Sequence, residues 1–208
     1  KGLLNYFKAG DPIFTDLDGN YVLDGNDRVI AGNSQPMMTG GFTSLLQYKN
    51  WSLELNTSFT LKRDILNNTL ASQFATMASP SDPSKLGALV PLSSIDYWRE
   101  NGDNASYGNP LDFLRSSIIN PFRFNQTLFQ EDGSYFKLNA VKVYYNFNRD
   151  LTQRYGMNRV SLNFTAANLL YLTRYSGPNP ENVSALGRDF GGNYPLPKQF
   201  ALGLNIEF

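Results

Sequence analysis

The chain has 208 residues, a formal net charge of zero, and neither cysteine nor histidine. That excludes disulfide staples, Cys/His zinc sites and any mechanism built on imidazole or thiolate. The balanced charge, without long runs of one sign, carries no nucleic-acid or polybasic membrane-surface signature.

No stretch approaches the roughly 20 consecutive apolar residues of a spanning helix. Alternating strands escape hydropathy averaging, so a transmembrane barrel stays open. The start, Lys1-Gly-Leu-Leu, is not a signal peptide, so export would require an upstream segment.

Leu3–Phe7 predicts a weak strand, Gly10-Asp11-Pro12 a break, and Ile13 and Phe14 a short extended piece. The run from Asp16 to Asp27 has the spacing of a calcium loop. Asp16, Asp18, Asn20, Asp24 and Asp27 stand at positions 1, 3, 5, 9 and 12, with the Val22 carbonyl at position 7. Calcium takes several hard oxygens from one short segment, which this spacing supplies. Tyr21 stands where such loops place glycine, and Asp27 where they place glutamate. The competing reading is a solvated Asp/Asn/Gly turn that binds nothing.

Gly40–Tyr48 reads as extended chain and Lys49-Asn50 as a tight connection. Trp51, Leu53, Leu55, Thr57, Phe59 and Leu61 then alternate with Ser52, Glu54, Asn56, Ser58, Thr60 and Lys62. Successive side chains of a strand point to opposite faces, so this stretch predicts one apolar and one polar face. It runs about twice the usual five or six residues of a strand. Its polar face suits a wet lumen better than a second core.

Residues 64 to about 133 show no sustained period. Leu66, Leu70 and Phe74, at i, i+4 and i+8, predict a short helix within Ile65–Met77. Ser79-Pro-Ser-Asp-Pro83 ends it, 102–110 is turn-rich, and 113–130 has room for strand hairpins. So long an excursion is unusual in a compact domain and ordinary for the outward loops of a large barrel. Ser134–Asn148 returns to strand, with Val141, Val143, Tyr145 and Phe147 alternating with Lys142, Tyr144 and Asn146. Phe136 and Leu138 lie on the other parity, which predicts a bulge near Asn139-Ala140 or the strand leaving the membrane. After a turn at 149–157, Val160, Leu162 and Phe164 alternate with Ser161, Asn163 and Thr165. A Gly/Pro/Asn-rich connection covers about 173–197. Phe200, Leu202, Leu204, Ile206 and Phe208 then alternate with Ala201, Gly203, Asn205 and Glu207.

Two architectures satisfy these strands. One is a soluble secreted β-sandwich that binds glycans, its apolar faces turned into a core, with a structural calcium in the Asp-rich loop. The other is all-β in a different sense: the C-terminal strands of a large antiparallel transmembrane β-barrel with long extracellular loops. Connections 49–50 and 149–157 are short, whereas 16–39, 64–133 and 173–197 are long. That alternation is what an up-and-down barrel with one decorated rim requires, and it favours the barrel, with its short turns periplasmic. The amphipathic last strand ending on Phe208 resembles the terminal strand of bacterial outer-membrane barrels, which their insertion machinery recognises.

Longer runs carry a more specific resemblance. They are Gly10-Asp-Pro-Ile-Phe-Thr-Asp-Leu-Asp-Gly-Asn20, Asn26-Asp-Arg-Val-Ile-Ala-Gly-Asn33, and Pro36 through Thr39-Gly-Gly-Phe42. Next come Tyr97-Trp-Arg-Glu-Asn-Gly-Asp-Asn104, Asp132-Gly-Ser-Tyr-Phe-Lys-Leu138 and Ala167-Asn-Leu-Leu170. Tyr175-Ser-Gly-Pro-Asn-Pro-Glu181 and Tyr194-Pro-Leu-Pro-Lys198 complete the set. In this order, across almost the whole chain, they resemble SusC/RagA-type TonB-dependent transporters.

The resemblance implies a multi-pass outer-membrane barrel of 22 strands in Bacteroidetes-type bacteria, with an N-terminal plug. It also implies a SusD-like surface lipoprotein as lid, energy from TonB, and oligosaccharides or peptides as cargo. This chain would supply about six membrane strands, without the plug or the TonB-contacting segment. Unpaired barrel edges are not tolerated in lipid, so it would be stable only beside the rest of the transporter. Family members often carry an Asp-x-Asn-Gly-Asp-Gly version of the acidic loop, from which this sequence departs.

Trp51, Tyr144, Tyr145 and Tyr171 are candidates for interfacial aromatic girdles. Tyr97 and Trp98 have the chemistry to stack on a sugar, though such a pair more often pins a long loop. Glu54, Glu100, Glu181 and Glu207 show no spacing that would assemble a glycosidase carboxylate pair, and the reading is not an enzyme. Sequons at Asn56 and Asn163 fall inside predicted strands and are expected by chance.

Overall fold

The computed structural model describes residues 9–77, 93, 95–111, 122–189, 191 and 194–208. They form two compact units, one of 1–32, 66–130 and 188–191, the other of 33–65, 131–187 and 192–208.

The second unit is built on five long antiparallel strands: β1 (Met38–Tyr48), β2 (Trp51–Leu61), β5 (Tyr135–Asn146), β6 (Arg159–Thr173) and β8 (Gln199–Glu207). They lie in the order β1-β2-β5-β6-β8. Their lengths of 11, 11, 12, 15 and 9 residues meet the roughly 9–11 that a tilted strand needs to cross a bilayer. The Lys49-Asn50 connection is as tight as its sequence implies. Lys49 takes a φ of 51°, in the left-handed region that two-residue hairpins use. The expected strand at Leu3–Phe7 lies outside the described residues.

The phase change in β5 is a bulge. Asn56 pairs with Ala140 and Thr57 with Leu138, which leaves Asn139 as an extra residue. On the other side, Leu138 faces Leu170 and Ala140 faces Ala167, so β6 carries the extra residue there. Asn168, at φ 56°, absorbs that turn, a conformation that Asn tolerates better than most residues. With both strands shifted, Phe136 and Leu138 stay on the same face as Val141, Val143 and Tyr145.

The first unit contains α1 (Asn68–Met77). Ile65 and Leu66, expected in this helix, belong instead to the short strand β3 (Asp64–Asn67). The Asn67 side chain accepts from Leu70 N at 3.0 Å, which caps the helix and fixes its start. β7 (Arg188–Asp189) pairs in parallel with the end of β3. Phe74, Phe122 and Phe129 are fully buried with Ala71 and Ile95, and Tyr107 packs on Phe74 at 4.8 Å between ring centres. This stretch therefore has an aromatic core of its own, although no sequence period announces it. Of the hairpins allowed for 113–130, residues 113–121 lie outside the described residues. The remainder holds a turn of 3-10 helix at Thr127–Phe129 and the start of β4 (Gln130–Asp132).

Candidate functional site

Register places most of the large apolar residues of the five strands on one face, whereas Leu45, opposite Glu54, lies on the other. Leu46, Leu53, Val143, Phe164 and Leu202 form one row across the sheet, and Ser44, Leu55, Val141, Ala166 and Phe200 the next. Phe42, Leu46, Leu172, Phe200, Leu202 and Leu204 are each more than half exposed. A soluble sandwich would cover this face with a second sheet, and soluble monomers rarely leave so large an apolar patch uncovered. Thr57 is the main polar residue in the face, and its hydroxyl is satisfied by donating to the Phe42 carbonyl at 3.1 Å.

Aromatic rings gather at the Lys49-Asn50 end. Trp51 stands opposite Tyr48 and Tyr145. Its ring centre is 4.6 Å from that of Tyr145, which meets Phe147 edge-on at 5.0 Å. Trp51 and Tyr145 thus have the placement of a girdle. Tyr144 and Tyr171 do not. Alternation puts Tyr144 opposite Ser52, and the β6 bulge puts Tyr171 opposite Lys137, both on the polar face. Tyr171 stacks on Tyr135 at 5.4 Å.

The other face is polar. Lys142 donates to Glu54 at 2.9 Å from the directly opposed position of β2. Asn56 donates to Thr43 at 3.3 Å and accepts from Asn139 at 3.0 Å. Ser58 donates to Asn139 at 3.2 Å. Glu54 is therefore engaged by lysine, as is Glu181, which accepts from Lys137 at 2.9 Å.

Sequence reasoning missed how the 174–187 segment is anchored. Besides the Lys137–Glu181 pair, Ser176 donates through N and Oγ to Glu131 at 2.7 Å each. Arg63 Nη1 donates to the Pro180 carbonyl at 3.1 Å. The partners are 44 to 117 residues apart, so no local pattern reveals them.

In the acidic loop, oxygens of Asp16, Asp18 and Asp27 lie within 4.8 Å of one another. Asp16 accepts from Gly19 N and Tyr21 N at 2.8 Å each, and Asp27 from Leu17 N and Asp24 N at 2.8 Å each. The Tyr21 N–H above all, helped by Gly19 N–H, holds the Asp16 carboxyl below its ordinary range. Asn20 accepts from Val22 N at 2.7 Å. Asp24 is not in the acidic cluster, because it caps the 3-10 turn Gly25–Asp27 by accepting from Asn26 N at 2.7 Å. Tyr21 adopts a φ of 62°, so the sharp turn is made without the glycine, at the strain an L-residue bears there. Acceptor-only oxygens converging from both ends of one loop fit a hard divalent cation such as calcium.

Tyr97 and Trp98 are both half-buried. Tyr97 packs on the aromatic core and carries Arg99 4.9 Å above its ring. A Cβ added at Gly10, which has a φ of 83°, would fall 2.3 Å from the Trp98 ring, so that ring lies flat on the Gly10 backbone. Phe208 follows β8 and is exposed at its end.

No family model matches the chain. Curated relatives do. It is 29% identical to TonB-dependent receptor P3 of Formosa agariphila over 96% of this chain and 19% of that protein. It is 26% identical to TonB-dependent receptor P39 of the same organism, over 97% and 19%. With TonB-dependent receptor SusC of Bacteroides thetaiotaomicron it shares 25% identity over 98% and 18%. The chain thus spans about a fifth of the length of these relatives. A structure of the RagAB peptide importer in its closed-closed state covers 95% of this chain and 21% of its own, with a TM-score of 0.62 at 20% identity. A second RagAB peptide transporter structure covers 85%, with a TM-score of 0.61 at 21% identity. The open two-faced sheet is that of a stretch of a large antiparallel transmembrane β-barrel, and in sequence the chain is similar to TonB-dependent receptors, SusC among them.

Proposed function

We propose that this chain forms C-terminal wall strands of a TonB-dependent importer in the bacterial outer membrane, and that its loops serve cargo and partner on the outer surface. The observation that carries this reading is the uncovered apolar face, in register across five strands of membrane-crossing length and backed by a polar face. Lipid meets the first face and a water-filled, plugged lumen the second.

The free edges of β1 and β8 require the remainder of the barrel as neighbours. The same reading brings a SusD-like lipoprotein as lid and TonB acting through a plug on the N-terminal side. Cargo is an oligosaccharide or a peptide, imported without chemical change. Calcium, held by Asp16, Asp18 and Asp27 with Asn20 and the Val22 carbonyl, would stiffen the acidic loop.

The test is native purification from outer membranes in mild detergent, with intact mass and peptide mapping of everything that co-migrates. The expected result is a polypeptide about five times this length, or its pieces, together with a lipoprotein. A lone 23.4 kDa species that stays monodisperse without detergent would overturn the proposal.

A further inference from the structure

The run from Tyr97 to Asn104 closes on a tight turn. Asp103 N donates to the Glu100 carbonyl at 3.1 Å, and Trp98 N to the Tyr107 carbonyl at 2.9 Å. The Asp103 carboxylate accepts from Arg99 N at 2.9 Å and Glu100 N at 3.1 Å, so the turn is pinned from within. Asn101 and Gly102 form its exposed tip. Gly102 takes a φ of 103°, the positive value that a type II turn asks of its third residue and that glycine takes without strain. A Cβ built there would meet nothing within 4 Å, so the tip stands in open space.

Asn101-Gly102 is the one Asn-Gly step in the sequence. Other loop asparagines are tied down. Asn20, Asn33, Asn109 and Asn179 each accept through Oδ1 from the backbone N–H two residues on, at 2.7 to 2.9 Å. Such a turn holds the side-chain amide away from the nitrogen of the following residue. Asn101 lacks this hold, because the N–H two residues on, that of Asp103, goes to Glu100 instead. Among the described residues neither the Asn101 side chain nor Gly102 N has a hydrogen-bond partner. A side-chain carbonyl carbon and the next backbone nitrogen, both unengaged and with no Cβ to crowd them, are adjacent reactants for a ring closure.

We propose that Asn101 is a site of spontaneous deamidation. Gly102 N loses its proton to hydroxide and attacks Asn101 Cγ. The new C–N bond closes a succinimide ring, and the side-chain nitrogen takes a proton from water and leaves as ammonia. Water then opens either ring carbonyl, which yields aspartate or isoaspartate at 101 without oxidant, reductant or enzyme. Either product sets a carboxylate between Glu100 and Asp103. Isoaspartate also adds a carbon to the backbone that the Asp103–Glu100 bond must span. The tip is thus a chemical age mark on the loop that seats Trp98.

The test incubates the whole receptor in detergent at mildly alkaline pH. Peptide mass spectrometry follows amide-to-acid conversion, and isoaspartyl methyltransferase labelling reads isoaspartate. Asn101 is expected to convert several-fold faster than Asn20, Asn33, Asn109 or Asn179, with isoaspartate the major product and a rate that rises with pH. Asn101→Gln, which keeps the amide and disfavours ring closure, should abolish methyl labelling of that peptide. In receptor unfolded by guanidinium chloride, Asn33 should accelerate several-fold and Asn101 much less, since only Asn33 loses a restraining turn. Conversion at 101 no faster than at the four tied asparagines of the folded receptor, or aspartate without isoaspartate, overturns the proposal.

Discussion

Asn139 and Asn56 are joined across a break in register, with Asn139 Nδ2 donating to Asn56 Oδ1 at 3.0 Å. Asn139 pairs with neither neighbouring strand, yet its side chain is held by Asn56 and Ser58 on the polar face. The bulge is thus a phase corrector. It keeps Phe136 and Leu138 with the apolar face, where uninterrupted pairing would turn them inward.

Deleting Asn139 should therefore be far worse than replacing it. In the whole receptor, the deletion is expected to abolish the folded, heat-modifiable band in outer-membrane fractions. Asn139→Ala should retain the band and lower its melting temperature by a few degrees. Equal behaviour of the two variants would contradict the phase argument.

The two faces predict opposite tolerance to charge. Leu55→Arg, near the middle of β2 on the apolar face, should cost about 2–4 kcal/mol of barrel stability in lipid. Ser52→Arg, on the polar face of the same strand, should cost under about 1 kcal/mol. Urea unfolding in vesicles, followed by tryptophan fluorescence, measures both.

The Lys137–Glu181 pair is largely shielded, with side chains 12% and 29% exposed. Glu181→Gln should loosen the 174–187 segment by about 1 kcal/mol, a roughly fivefold faster amide exchange there. Exchange within β5 itself should not change, because its backbone pairing is intact. Uniform protection across the mutant would show that Glu131 and Arg63 suffice to hold the segment.

Calcium is expected to slow amide exchange over residues 16–27 of the receptor, and a chelator to restore it. Asp27→Asn should remove the response by breaking the convergence with Asp16 and Asp18. An exchange profile indifferent to calcium would leave a plain Asp/Asn turn.

The Ser106 hydroxyl and N–H donate to Asp96 at 2.8 and 3.0 Å and hold its carboxyl below the ordinary aspartate value of 3.8. A depressed carboxyl contributes order above its unfolded value and loses that contribution as pH falls through the lower, folded value. The contacts around Trp98 should accordingly persist to below pH 3.8. Ser106→Ala should move their loss upward, toward that value. Trp98 emission in a Trp51→Phe background reads this directly.

Much of the wall was legible in the sequence because strand alternation is local: each residue's face follows from its neighbour's. Even the bulge at Asn139 announced itself as a change of parity. The spacing from Asp16 to Asp27 likewise pointed to the convergence of three carboxylates, although Asp24 proved to be a cap. Chain order alone could not say that Tyr171 lies on the polar face opposite Lys137, since that depends on a second bulge in β6. Nor could it reveal the aromatic core around Phe74 or the anchors on Glu131, Lys137 and Arg63. Those contacts join residues far apart in the chain or depend on how a turn closes, so they exist only once the fold has brought the partners together. The sequence by itself determined which side is apolar in the strands that alternate; the tertiary structure decided how those sides line up across the sheet, because register joins residues far apart in the chain.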